Sequence, residues 1–166
     1  MPLLALSIGS NIDAASNIRL ALKHLRDEFG NSACSTVYES ESIGFDGDNF
    51  LNLVVLIETD ESLNRIVLFL KRVEDLSGRD RSQTKFSPRT LDIDILIFGE
   101  HSGDDCDIEL PRSEITQHAF VLQPLAEMLP QQMHPCTEKP YAQLWNEFDK
   151  STQRLWPIEF DWQGVS

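Results

Sequence analysis

The run Leu91-Asp92-Ile93-Asp94-Ile95-Leu96-Ile97-Phe98 constrains this chain more than any other segment. β-Branched and aromatic residues dominate it, so it reads as a buried strand. Two acids interrupt it at a spacing of two. On a strand that spacing puts both carboxylates on one face, roughly 7 Å apart along the chain. Unpaired carboxylates side by side on a buried strand are costly, so positive charge must sit against them. Arg79 or Arg89 can supply it as ion pairs that only hold a loop. A divalent cation can supply it instead. Mg²⁺ takes one or two carboxylates and completes its shell with waters and phosphate oxygens.

The preceding segment is basic. Lys71, Arg72, Arg79, Arg81, Lys85 and Arg89 are six of the fourteen Lys and Arg in a chain of formal net charge -13. That concentration in an acidic protein suggests an anion site. A basic loop next to a carboxylate pair is what metal-nucleotide phosphoryl transfer needs.

The length of 166 residues suits one domain spanning 1–166. The acidic balance argues against a nucleic-acid binder or an anionic-membrane ligand. Cys34, Cys106 and Cys136 form no CxxC pair, which fits reduced thiols in a cytoplasm. The apolar start ends at Gly9-Ser10-Asn11, too short for a membrane span or a typical signal peptide.

Taken in order, the chain alternates. Leu3 to Ile8 reads as a buried strand, followed by a turn and a helix carrying Ile18, Ala21, Leu22, Leu25 and Phe29 at helical spacing, with Asp13 or Ser16 as cap and Gly30 as stop. A strand around Ala33 to Glu39 follows, then a polar loop over 40–49 that suits a lid. Phe50 to Thr59 is a strand with Asn52 as its odd residue, serving either as a structural bridge or as a ligand reader. A second helix, opened by Asp60 or Ser62, shows Leu63, Ile66, Val67, Leu70 and Val73 inward, carries Glu74 near its end and stops at Gly78. With Leu91 to Phe98 as the fourth strand, the order is βαββαβ. That predicts an α+β, ferredoxin-like sandwich with a helix layer on one face of an antiparallel sheet. An extra C-terminal hairpin and helices follow it. The acidic stretch Asp104 to Glu109 reads as a solvated loop. Ser113 is a candidate N-cap, Pro124 a candidate helix start, and Tyr141 to Phe148 a helix. Trp156, Phe160 and Trp162 either pack on the body or form an exposed contact for a partner.

The stretch GRDRSQTKFSPRTLDIDILIFG, residues 78–99, closely resembles the signature of 6-hydroxymethyl-7,8-dihydropterin pyrophosphokinases of folate biosynthesis. Further blocks occur in family order: Ser7-Ile8-Gly9-Ser10-Asn11, Phe50-Leu51-Asn52 and Phe120-Val121-Leu122-Gln123-Pro124-Leu125. The resemblance implies pyrophosphoryl transfer from ATP to the hydroxymethyl group of 6-hydroxymethyl-7,8-dihydropterin, with AMP leaving. It implies that Asp92 and Asp94 hold two Mg²⁺ ions bound with ATP, and that Arg79 and Arg89 act on the transferred phosphates. ATP contacts fall to Glu74, Arg81, Lys85, Arg89 and Arg112. Pterin contacts fall to Asn11, Ser40, Ile43, Phe50, Asn52, Phe86 and Phe120. A cytoplasmic monomer without nucleic-acid or membrane partners is expected. The pattern departs from the family at Pro111-Arg112, where proline-histidine is common, at Ser113 for a tyrosine, and at His118 for an arginine. The alternative these departures feed is a diverged, non-catalytic protein of the same fold that binds pterin or nucleotide.

Overall fold

The structure, a computed structural model, describes residues 1–41, 47–78, 91–105 and 108–165. Its first half runs β1 (Leu3–Ser10), α1 (Ala14–Phe29), β2 (Ala33–Cys34), β3 (Val37–Ser40), β4 (Phe50–Glu58), α2 (Leu63–Leu76) and β5 (Asp92–Phe98). The main strands pair antiparallel in the order β5-β1-β4-β3. This is the ferredoxin-like α+β arrangement that the βαββαβ pattern predicts.

Alternation along β1 explains the layers. Leu4, Leu6 and Ile8 face the cluster formed with α1 and α2, while Ala5 faces the opposite side. α1 buries Ile18, Ala21, Leu22 and Leu25 there, and α2 buries Leu63, Ile66, Leu70 and Val73. Ser62 opens α2, its Oγ accepting the Arg65 N–H at 3.3 Å. Gly78 follows the helix end at φ 85°, a conformation that favours glycine.

The second face of the sheet is covered too, which the sequence pattern does not show. α3 (Ala119–Met128) and α4 (Tyr141–Glu147) pack on Ala5, Val54, Leu96 and Ile97. The end of α3 is tied to the sheet through Glu127, which accepts from the Tyr38 hydroxyl at 2.6 Å and the Thr36 N–H at 2.9 Å. Pro124 lies inside α3 rather than at its start, so the Phe120 carbonyl loses its in-helix donor. A short 3₁₀ turn, Ser113–Thr116, precedes α3 with Arg112 in the capping position in place of Ser113.

Other elements differ in detail. The expected strand over 33–39 is split, because Ser35 turns its hydroxyl to the Val54 N–H at 2.9 Å between β2 and β3. The acidic stretch forms part of a hairpin, β6 (Gly103–Asp105) with β7 (Ile108–Leu110). β5 bulges opposite the Ala5–Leu6 step, since Leu6 pairs with Ile95 and Ala5 with Ile97. The extra residue, Leu96, turns with Ile97 into the second core. The tail forms β8 (Leu155–Ile158), which pairs with β3 at the sheet edge. Pro157 argues against a strand on sequence grounds, but at an edge its missing N–H costs nothing. Phe160 and Trp162 then rest on the first core, with the Arg19 guanidinium 5.7 Å from the Phe160 ring centre. No helix among the described residues is long and apolar enough to cross a membrane.

Tyr141 is fully buried in the second core, and its hydroxyl has no hydrogen-bond partner among the described residues. Tyr141→Phe is therefore expected to keep or raise stability, by up to ~1 kcal/mol, in denaturant unfolding. Tyr141→Ala should cost about 3–5 kcal/mol through the cavity it leaves.

Candidate active site

Strand register builds the site. Gly9 of β1 lies opposite Asn52 of β4 on one side and Asp92 of β5 on the other. Ser7 is likewise opposite Asp94, Tyr38 opposite Asn52, and Ser40 opposite Phe50. Paired residues share a face, so Asp92, Asp94, Asn52, Phe50 and Ser40 all lie on the face away from α1 and α2. On that face they continue from the apolar positions Ala5, Val54 and Leu96 that α3 and α4 cover. The sheet thus brings a carboxylate pair, an amide and an aromatic ring to one polar end of one surface.

Gly9 makes room in the middle. A Cβ at this position would stand 3.3 Å from the Asn52 Oδ1, tighter than such contacts normally run. The buried Asn52 donates from Nδ2 to the Ser40 Oγ at 2.8 Å and to the Tyr38 carbonyl at 3.4 Å. A carbonyl only accepts, so the amide nitrogen must face β3 and the oxygen must face Gly9. The structural and ligand-reading roles of Asn52 are compatible: Nδ2 braces the sheet, and Oδ1 is left as an acceptor. Asn11, also buried, donates to the Asp48 carbonyl at 3.1 Å and so ties the turn after β1 to the approach to β4.

The electrostatics centre on β5. Burial, then the Asp92 carboxylate, push the Asp94 pKa up to about 7. The Arg112 guanidinium opposes that shift, while Glu74 and Glu114 add to it. Glu74 is buried behind the strand at the end of α2, and its Oε2 accepts the Ile93 N–H at 2.8 Å. This bond fastens an edge strand to a helix through a carboxylate. Arg112 holds the same strand further along, its Nε donating to the Ile95 carbonyl and its N–H to the Leu96 carbonyl, both at 2.9 Å. Its Nη1 is 3.9 Å from the Glu114 Oε2.

These residues fit a cation. Burial first, and then the neighbouring Asp92 carboxylate, hold Asp94 above its usual range, and a cation beside it would favour the charged form against both. Among the described residues, no group of three or more His, Cys, Asp or Glu side chains could hold a metal alone. Two carboxylates sharing a cation with oxygens from elsewhere is the Mg²⁺-phosphate pattern.

Phe120 stands in the first turn of α3, half-buried, with the His118 ring stacked on it at 5.0 Å and 17°. A cleft of about 360 Å³ lies between Phe120 with Ala119, Ser40 with Glu41, and the tail segment Thr152 to Leu155. Gln153 and Arg154 carry no local sequence signal; the pairing of β8 brings them here. Arg79, Arg81, Lys85, Phe86, Arg89 and Ile43 lie outside the described residues, as does most of the loop expected to act as a lid.

The sequence profile of 7,8-dihydro-6-hydroxymethylpterin-pyrophosphokinase (HPPK) matches residues 5–130. The chain belongs to this family. It is 34% identical over 137 residues to the 2-amino-4-hydroxy-6-hydroxymethyldihydropteridine pyrophosphokinase of Aquifex aeolicus, covering 81% of this chain and 85% of that one. The Bacillus subtilis enzyme of the same name is 30% identical over 155 residues, covering 91% and 88%. Among solved structures, Plasmodium falciparum HPPK-DHPS with pterin and p-hydroxybenzoate superposes with a TM-score of 0.71 at 15% identity. That match covers 88% of this chain and 43% of the other, so the chain spans less than half of that protein and shares the fold of the matched part. The HPPK profile takes in all the described candidate residues, and it ends before the tail that completes the cleft.

The raised Asp94 pKa gives a signed test of the site without metal. A carboxyl group whose folded pKa lies above its unfolded value weakens the fold as pH rises between the two, here from near 4 to about 7. Asp94→Asn should therefore raise the melting temperature of the metal-free protein by a few degrees at pH 8 and leave it unchanged at pH 4. Scanning calorimetry at both pH values would read the difference.

Proposed function

We propose that this chain transfers the β,γ-pyrophosphoryl group of ATP to the hydroxymethyl oxygen of 6-hydroxymethyl-7,8-dihydropterin, in folate biosynthesis. One observation carries the assignment of roles. The Asp92 and Asp94 carboxylates share one sheet face with Asn52, one strand removed, across a glycine that leaves the surface open.

Asn52 Oδ1 accepts an N–H from the pterin edge, while its Nδ2 stays bound to Ser40 and Tyr38. Phe50 and Phe120 stack on the ring and fix its plane. Asn11, Ser40 and, in the family pattern, Ile43 and Phe86 complete the pterin contacts. Asp92 and Asp94 would hold Mg²⁺, two ions with ATP; the metal supplies charge neutralisation on the phosphates. Arg79, Arg81, Lys85, Arg89 and Arg112 stabilise the negative charge of the triphosphate. Glu74 acts at a distance: by accepting the Ile93 N–H it sets the strand position from which Asp92 and Asp94 project. The hydroxymethyl oxygen forms a bond to the β phosphorus. The bond from that phosphorus to the α,β-bridging oxygen breaks, AMP leaves with that oxygen, and the hydroxyl proton is released. Positioning and preorganised charge carry the rate. The chain acts as one domain, 1–166, as a monomer in the cytoplasm.

A second reading, a binding protein without turnover, draws on Arg112 and His118. Arg112 is engaged by the Ile95 carbonyl, and His118 stacks on Phe120 where the family pattern has an arginine. AMP formation from ATP, with and without Mg²⁺ and the pterin, separates the two. Metal-dependent AMP appearing only with pterin is the expected result; pterin binding without AMP would favour the second reading. Asp94→Ala should lower kcat by about a hundredfold or more, as loss of an electrostatic anchor does. Asn52→Ala should raise the pterin KM about tenfold and leave the ATP KM unchanged, as expected for a lost acceptor.

A further inference from the structure

The tail segment Thr152 to Leu155 lies beyond the family match at 5–130, yet it forms one wall of the cleft beside Phe120 and Ser40. Its side chains differ in what they do there. Arg154 is largely exposed and meets Glu41 at 3.4 Å, a surface pair of small energetic weight. Gln153 is half-buried and makes two directed bonds. Its Oε1 accepts the Ala119 N–H at 2.8 Å, and its Nε2 donates to the Gln117 carbonyl at 3.0 Å.

Those bonds fall where α3 lacks its own support. His118 occupies the N-cap position of α3 and makes no side-chain cap bond. The first N–H groups of a helix find few partners within it; here Val121 and Leu122 donate to the His118 carbonyl, at 3.1 and 3.0 Å, while the Ala119 N–H looks outside the helix. Gln153 supplies the missing acceptor from another part of the chain. Phe120 is the second residue of that turn, so the amide also fixes the backbone from which its ring projects. The same tail reaches the other half of the site: Leu155 pairs with Ser40, whose Oγ holds the Asn52 amide. Phe120 and Asn52 stand on separate elements, and residues 153–155 tie them together.

We infer that Gln153 is a positioning residue for the fused-ring substrate, acting through Phe120. This rests on the pterin reading above. The bond pattern makes the acceptor the important half, because it completes the helix start. The donor to Gln117 holds only the turn before it.

Full-length Gln153→Leu, Gln153→Glu and Phe120→Ala proteins test this by steady-state kinetics. Gln153→Leu keeps the size and removes both bonds; the pterin KM should rise about tenfold, the scale of two modest hydrogen bonds. The ATP KM should stay unchanged. Gln153→Glu keeps an acceptor for the Ala119 N–H and should return the pterin KM close to the wild-type value. In the Phe120→Ala background, Gln153→Leu should add nothing, because the residue it positions is gone. An unchanged pterin KM in Gln153→Leu would overturn the inference. So would parallel rises in both KM values, or full additivity with Phe120→Ala. A merely structural role would lower the melting temperature without separating the two substrates. If wild-type protein made no AMP, the catalytic reading would fall, and calorimetric titration of the pterin would still compare Gln153→Leu with wild type.

Discussion

The pairing of β1 with both of its neighbours is the constraint on which the site depends. Gly9 faces Asn52 across one ladder and Asp92 across the other. A slip of one residue in either pairing would send Asn52 or the two carboxylates to the opposite face, into the core packed by α1 and α2. That core prevents the slip. Leu4, Leu6 and Ile8 alternate with Ala5 and Ser7, so only one register buries the apolar set. The hydrophobic effect thus fixes the geometry of a polar site on the other face of the sheet.

The cost of the site is electrostatic and is met locally. Asp92, Asp94, Glu74 and Glu114 lie around one edge strand, with Arg112 as the described counter-charge that acts on Asp94. Burial and like charge drive the Asp94 proton affinity upward. Two bonds keep the strand in place despite this: Glu74 accepts the Ile93 N–H, and Arg112 donates to the Ile95 carbonyl. Both use atoms of the strand's backbone, so the strand is held without engaging the Asp92 and Asp94 carboxylates in these two bonds. An arrangement strained when it lacks positive charge is suited to binding a cation with phosphates.

The chemical part of the site was largely legible in the chain. Asp92 and Asp94 fall at a strand period, and Asn52 interrupts an otherwise apolar strand. The oxygen of Asn52 as the available acceptor was not legible, because it follows from Nδ2 meeting Ser40 and Tyr38 across β3. The stacking of His118 on Phe120 was also hidden: sequence comparison suggests a charge lost, and the geometry shows a ring gained. Pro124 misled as a helix start because proline is favoured there. Here α3 continues through it, supported by burial of Val121, Leu122 and Leu125.

The sequence by itself determined the alternation of strands and helices, the apolar face of each, and the grouping of two carboxylates on one side of β5. These are periodicities, written over a few neighbouring residues. Only the tertiary structure decided that α3 and α4 cover the second face, that the tail becomes β8, and that Gln153 reaches the start of α3. Each of these joins residues far apart in the chain, such as Ser40 with Leu155 and Ala119 with Gln153. A local pattern states which surface must be buried, but the partner that buries it is selected by the packing of the whole chain.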